Sequence, residues 1–307
     1  MRTAIVDLGT NTFNLLVCER GNGRLHIIHS EEVPVYLGRG GIERQMIAPD
    51  AIERGLAALA QYAAQARELG AERLLGFGTS ALRNARNSGD FVEAARRRTG
   101  IDITVIPGDE EAGLILDGVR QAVPFTSRPA LVMDIGGGSI EFILATDQAL
   151  MWKQSFELGS TRLRERLPVS DPMTVDEEAR IAAHIDHALE PLYAVIERHE
   201  PHVLVGSAGS FDSLAAMLMA DEGREGVDPH AVHMGFSALA FDALKDRLLR
   251  MPRAQRLLVP GLLAHRVDTI LHAMVAIERV LLAGGIRELV WSRYSLKEGA
   301  AWRLLNA

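Results

Sequence analysis

The chain has 307 residues, of which 48% are hydrophobic and 24% charged, with a formal net charge of −7 at pH 7 and one cysteine. This length can bury a sizeable core and supply two domains, and the composition is that of a globular enzyme. The acidic balance argues against general nucleic-acid affinity, and the lone Cys18 excludes an intramolecular disulfide.

In chain order, RTAIVDLG, TFNLLVCER and RLHIIHSEE are predicted strands, with Cys18 a buried residue of the second. PDAIERGLAALAQYAAQARELG has helical periodicity between Pro49 and Gly70. A strand RLLGFGT, a helix SGDFVEAARRRTG and a strand DITVIPG follow, giving an α/β alternation with a partly antiparallel opening. GDEEAGLILDGV then opens a helix with Asp109, Glu110 and Glu111 in its first turn. The helix dipole alone favours carboxylates there, but a strand-to-helix junction also suits a general base, and the residues leave Glu110 and Glu111 both open.

The organisation then restarts. IVDLGTNTFNLLV (5–17) and VMDIGGGSIEFIL (132–144) align without a gap: Asp7 on Asp134, Gly9 on Gly136, Thr12 on Ser139 and Asn14 on Glu141. Two such hairpins in one register predict two related lobes, residues 1–118 and 119–307, joined near the Pro-containing QAVPFTSRP. The last helix is left free to pack back on the first lobe. The second lobe continues with ALMWKQSFELG, one helical run TVDEEARIAAHIDHALEPLYAVIERHE, the strand HVLVGSAGS, and helical segments leading to RELVWSRYSLKEGAAWRLLNA. The apolar stretch ILHAMVAIERVLLAGG is interrupted by Glu278 and Arg279, which argues against a membrane span. No apolar run with a small-residue cleavage site opens the chain, so a cytoplasmic protein is expected.

Glycine turns between strands are the chemical signal. They point successive N–H groups into an anion nest and let a phosphate approach the backbone. Thr12 and Ser139 add hydroxyls, and Asp7 and Asp134 stand where a carboxylate holds Mg²⁺ directly or through water. The plain alternative, glycine turns with surface aspartates, explains one hairpin better than two. A third turn, VLVGSAGSFDSLA, places Ser207 and Gly209 before a helix, a weaker phosphate signal.

These segments, together with GTSALRNARNSGDF, LGSTRL, PGLLAHRVDTIL and SLKEG, occur in the order found in the exopolyphosphatase/guanosine pentaphosphate phosphatase (Ppx/GppA) family, which the whole chain resembles. The resemblance implies two actin-like (ribonuclease H-like) lobes, each a mixed β-sheet flanked by helices, with an interlobe cleft. It implies release of terminal phosphate from inorganic polyphosphate or guanosine pentaphosphate by Mg²⁺-assisted (or other divalent-cation) attack of water. It assigns the base to Glu111 and phosphate contacts to Thr10, Asn11, Thr12, Gly136, Gly137, Gly138 and Ser139. Arg83 becomes a charge clamp, and Asp134, Glu141 and Asp7 metal-associated carboxylates. A homodimer is implied by analogy. Longer relatives carry a further helical domain with a His–Asp signature; no such dipeptide occurs here, so reduced processivity on long chains is expected. SRYSLKEG (292–299) departs from the family at Arg293, Ser295 and Lys297.

Other signals carry less. LGRGGIERQ lacks the Lys-Ser/Thr ending of a P-loop, and Arg39 reads first as surface loop and second as an anion contact. The arginines of ARRRTG fit a helix C-terminus, and His184 with His187 lack a zinc pattern. Two rival functions remain from sequence: a kinase of the same superfamily, for which no adenosine pocket is seen, and a non-catalytic sensor of polyphosphate or guanosine polyphosphates, against which retention of Glu111, Asp134 and Glu141 argues.

Overall fold

Strand pairing in the first half follows from alternation. A computed structural model describes residues 2–21, 24–224, 228 and 230–306. β1 (Arg2–Leu8), β2 (Thr12–Gly21) and β3 (Arg24–Pro34) form an antiparallel meander, and β4 (Arg73–Gly78) and β5 (Asp102–Val105) continue the sheet in parallel with β1. The order is β3-β2-β1-β4-β5. Ala4, Val6, Leu8, Phe13, Leu15 and Val17 point to one face, where they meet α1 (Pro49–Glu68), α2 (Ser80–Asn84) and α3 (Ser88–Thr99). α1 begins at Pro49 and buries Leu56, Leu59, Tyr62, Ala63 and Ala66, a helical stripe. The Tyr62 hydroxyl donates to the Phe13 carbonyl at 2.8 Å, which fixes the helix along β2.

The opposite face of this sheet carries Thr3, Ile5, Asp7, Asn14, Leu16 and Cys18. Burial pushes the Cys18 thiol up to about 12, so it stays protonated and inert. Two further helices belong to this unit, α4 (Gly108–Ala122) and, from the far end of the chain, α12 (Leu296–Asn306). They approach through glycines: a Cβ on Gly299 would lie 1.8 Å from the Leu114 carbonyl oxygen, and one on Gly118 1.9 Å from that of Ser295.

The second unit repeats the plan. β6 (Ala130–Ile135), β7 (Ile140–Ala145) and β8 (Leu150–Phe156) form the meander, and β9 (Val203–Ser207) and β11 (Glu288–Ser292) extend it in parallel, with β10 (His233–Ser237) antiparallel at the edge. The order β8-β7-β6-β9-β11 therefore reproduces β3-β2-β1-β4-β5, with one strand added. Leu131, Met133, Ile140, Phe142 and Leu144 pack on α5 (Ser160–Arg166), α6 (Val175–Ala188), α7 (Glu190–His199), α8 (Ala208–Asp221), α9 (Ala238–Leu249) and α11 (Ile270–Gly284). A short α10 (Arg253–Arg256) precedes α11. Each unit is an actin-like lobe, a mixed sheet flanked by helices.

The units comprise Met1–Gln121 with Tyr294–Ala307, and Ala122–Arg293. Sequence reading divided the lobes at 118/119 and left the last helix free to pack on the first; in the structure Tyr294–Ala307 groups with Met1–Gln121, through the glycine contacts of α12 with α4. The helical run over 174–200 is two helices, broken at Leu189 because Pro191 in the next turn cannot donate to the ladder. β10 and β11 occupy stretches that sequence reading passed over between helices. Among the described residues no helix is long and apolar enough to cross a membrane.

Candidate active site

The two hairpin turns close in the same way. Gly9 N–H donates to the Thr12 carbonyl at 3.1 Å, and Gly136 N–H to the Ser139 carbonyl at 3.1 Å. In the first turn, Thr10 and Asn11 direct their carbonyls to the segment after β3: Gly38 N–H reaches Thr10 O at 3.0 Å, and Val35 and Tyr36 N–H reach Asn11 O at 2.9 and 2.7 Å. In the second, the Gly136 carbonyl accepts from Ser160 N–H and the Gly137 carbonyl from Thr161 and Arg162 N–H, while the Gly138 carbonyl takes Arg162 Nε–H at 2.9 Å. This inward turn of the carbonyls depends on Gly159, where a Cβ would fall 2.3 Å from Gly138 N. The N–H groups of Gly137 and Gly138 have no acceptor within the protein among the described residues. That is the geometry of an anion nest.

Register places the acidic groups. Asp134 lies opposite Glu141 on β7 and beside Ser207 on β9, and Glu141 lies opposite Ser155 on β8. Cross-strand partners share a face, so Ser207, Asp134, Glu141 and Ser155 form one row across four strands. The serines donate to the carboxylates: Ser207 Oγ to Asp134 Oδ2 at 2.6 Å and Ser155 Oγ to Glu141 Oε1 at 2.6 Å. Asp134 and Glu141 are 6% and 1% exposed. Two carboxylates held this close, away from water, repel one another and suit a hard divalent cation. The equivalent row in the first unit reads Asp7, Asn14, Glu32, with one carboxylate at the centre of the sheet instead of two.

Glu111 and Arg83 meet within the first unit. Glu111 stands at the head of α4, its N–H bonded to the Pro107 carbonyl, and is 6% exposed, whereas Glu110 is exposed. Arg83, at the end of α2, extends Nη1 to Glu111 Oε2 at 2.7 Å and to the Ile106 carbonyl at 3.2 Å. The structure thus separates the two glutamates that sequence left open, with only Glu111 held by an arginine.

In the third turn, Ser207 ends β9 and Gly209 lies in the first turn of α8, behind Ala208 in a left-handed conformation (φ +65°). A Cβ at Gly209 would sit 1.7 Å from Arg266 Nη1, so the glycine seats that guanidinium at the turn. Arg266, Arg162 and Ser155 were not singled out from sequence. Arg162 and Arg266 lie in motifs noted above, LGSTRL and PGLLAHRVDTIL, while Ser155 is found only through the β7/β8 register. Of the remaining expected residues, Thr10 is buried in the first turn, Thr12 begins β2 and Ser139, 2% exposed, precedes β7. In the variant 292–299 segment, Arg293 stacks over Trp291 at 5.4 Å and bonds the Asp228 carbonyl.

A duplicated α/β fold with a glycine nest, a paired carboxylate row and a buried glutamate held by an arginine is the frame of a phosphate-handling enzyme. The model of the Ppx/GppA phosphatase family matches residues 16–307, and the chain belongs to that family. It is 30% identical to Exopolyphosphatase 2 of Mycobacterium tuberculosis over 99% of this chain and 98% of the relative. A crystal structure of an exopolyphosphatase from Cytophaga hutchinsonii superposes with a TM-score of 0.97 at 36% identity, covering 100% of this chain and 98% of that one. A PPX-GPPA enzyme of Aquifex aeolicus, 24% identical, shares the fold with a TM-score of 0.81 and covers 99% of each chain. The protein is an enzyme of the exopolyphosphatase type, a phosphoanhydride hydrolase.

Proposed function

We propose that the protein releases the terminal phosphate of inorganic polyphosphate by attack of water, with Glu111 as general base. The observation that carries this is the buried Glu111 carboxylate, oriented by Arg83 at 2.7 Å at the head of α4. Glu111 takes the proton of the attacking water as the new P–O bond forms, and the anhydride P–O bond breaks, its electrons leaving on the shortened chain. Arg83 keeps the base in place, and its guanidinium fork matches phosphate oxygens. The nests at Gly136–Ser139 and at Thr10–Thr12 bind substrate oxygens through N–H groups and hydroxyls, preorganised for charge developing at the transferred phosphoryl group. Ser207 and Gly209 add contacts at the third turn, beside Arg266.

Asp134 and Glu141 fit a divalent cation such as Mg²⁺: two hard oxygen donors in one row, each oriented by a serine. When bound, the ion neutralises phosphate charge and polarises the P–O bonds. Guanosine pentaphosphate presents the same terminal group, so it belongs to the same reading. Homodimerisation rests on the family resemblance, and a cytoplasmic site of action on the sequence reading of the opening residues.

The test is phosphate release with Mg²⁺ from long-chain polyphosphate, short-chain polyphosphate, guanosine pentaphosphate and ATP. Release from polyphosphate, abolished by chelation, is expected. Binding of all four without any release would overturn the reading in favour of a sensor.

A further inference from the structure

The segment after β3 contains two features the mechanism above does not use. Tyr36 has φ +53°, a left-handed conformation that a bulky aromatic residue rarely adopts. Its surroundings over-determine it. Its N–H donates to the Asn11 carbonyl at 2.7 Å, and its own carbonyl accepts from Arg39 N–H at 3.2 Å and Arg54 Nη2 at 3.3 Å. Arg54 Nε also holds the Val35 carbonyl at 2.9 Å. Two residues on, Gly38 bonds Thr10 O, and a Cβ there would lie 2.4 Å from the Thr10 methyl carbon. The segment is therefore fastened to the phosphate turn of the first unit at three backbone bonds.

What this fastening presents is Arg39. The side chain is exposed, its guanidinium carbon lies 5.8 Å from the centroid of the Tyr36 ring, and among the described residues no carboxylate pairs with it. Arg39 shares its lack of a carboxylate partner with exposed Arg44 and Arg73, and differs from them in the ring it lies over and in the fastening of its loop. Stacking on a ring restrains a guanidinium while leaving its edge N–H groups available to a doubly accepting phosphate.

We infer that Arg39, restrained over Tyr36 in a loop tied to the Thr10–Asn11 turn, is a subsite for a phosphate of the substrate chain beyond the one released, with Tyr36 as its positioning residue. The inference rests on the reading of this protein as a polyphosphate hydrolase. It explains why an aromatic residue is kept in a strained conformation at this point: the turn of the backbone at Tyr36 sets both the ring and the arginine beside the nest.

The experiment compares wild type, Arg39→Ala, Arg39→Lys, Tyr36→Phe and Tyr36→Gly, with Arg97→Ala as the control for loss of a surface positive charge. Initial rates on long-chain polyphosphate give KM and kcat, and calorimetry without divalent cation gives Kd for the same polymer. Arg39→Ala is expected to raise KM and Kd about tenfold, the scale of one charge-assisted contact, with kcat falling by less than about twofold. Its slope of log Kd against log salt should fall by about one. Tyr36→Phe should match wild type, Tyr36→Gly should raise KM several-fold without lowering the melting temperature, and Arg39→Lys should recover part of the loss. Arg39→Ala indistinguishable from Arg97→Ala, with wild type active, would overturn this inference alone. A wild type that releases no phosphate would instead overturn the proposed function, and the calorimetric comparison would still decide whether Arg39 binds polyphosphate. Equal effects of Arg39→Ala on guanosine pentaphosphate and polyphosphate would place the contact within the length both share; an effect on polyphosphate alone would place it further along the chain.

Discussion

The two hairpins share a backbone and differ in chemistry. Gly9–Thr12 and Gly136–Ser139 close with the same bond at the same length, and the strands on either side pair in the same register. Yet the pair facing across the strands is Asp7 with Asn14 in one unit and Asp134 with Glu141 in the other. Glu111 and Arg83, the proposed base and its partner, lie in the first unit, whose central pair holds one carboxylate. Duplication gave two glycine turns closed in the same way, and divergence between Asn14 and Glu141 gave one of them a doubly acidic pair. On the proposed reading the first unit activates water and the second holds a cation and the phosphate it neutralises.

The largest expected effect comes from erasing that difference. Glu141→Asn gives the second hairpin the Asp–Asn pair of the first, and should lower kcat on polyphosphate about a hundredfold and raise the Mg²⁺ concentration needed for half-activity. Activity that keeps its metal dependence in this variant would break the division of labour. Ser207→Ala removes the hydroxyl that orients Asp134 and should cost about tenfold in activity, again through metal affinity. The same substitution at a hydroxyl outside the row, Thr146→Ala, is the comparison that separates orientation from general loosening.

A smaller contrast concerns stability, because the second unit carries a buried titratable group in its helical layer. His272 on α11 is fully buried, its Nε2–H donates to the Leu167 carbonyl at 2.9 Å, and burial with the nearby Arg164 holds its pKa below the usual imidazole value. The folded state therefore keeps it neutral, while the unfolded chain takes up a proton near the ordinary value of about 6.5. Stability should fall as pH drops below that value, and His272→Gln should flatten the dependence of melting temperature on pH between about 7.5 and 5.5. A steeper dependence in the variant would contradict the assignment. Smallest is the capping box of α6, where Thr174 and Glu177 satisfy each other's backbone N–H groups. Thr174→Ala should cost about 1 kcal/mol in unfolding free energy, read from a denaturant titration, with kcat unaltered.

The duplication was legible in the sequence because period-two alternation survives around the glycines; the order of the strands in each sheet came from the structure. Asp134 and Glu141 could be paired in the same way, since six residues of turn and strand between them leave them opposite. Residues fixed by distant packing were not legible. Ser155 enters the row through the β7/β8 register, and Arg266 reaches Gly209 across more than fifty positions. β10 and β11 were missed because each is five residues long and lies between strong helical patterns. Glu110 and Glu111 share one local environment in sequence, and only burial and the Arg83 bond tell them apart.

That last pair gives the most direct test of the account. Steady-state phosphate release from long-chain polyphosphate, measured for Glu111→Gln and Glu110→Gln side by side with wild type, compares a buried, arginine-held carboxylate with its exposed neighbour. Loss of about 10²–10⁴-fold in kcat for Glu111→Gln, with Glu110→Gln within about twofold of wild type, is the expected result. Equal activities in the two variants would contradict it and remove Glu111 from the role of base.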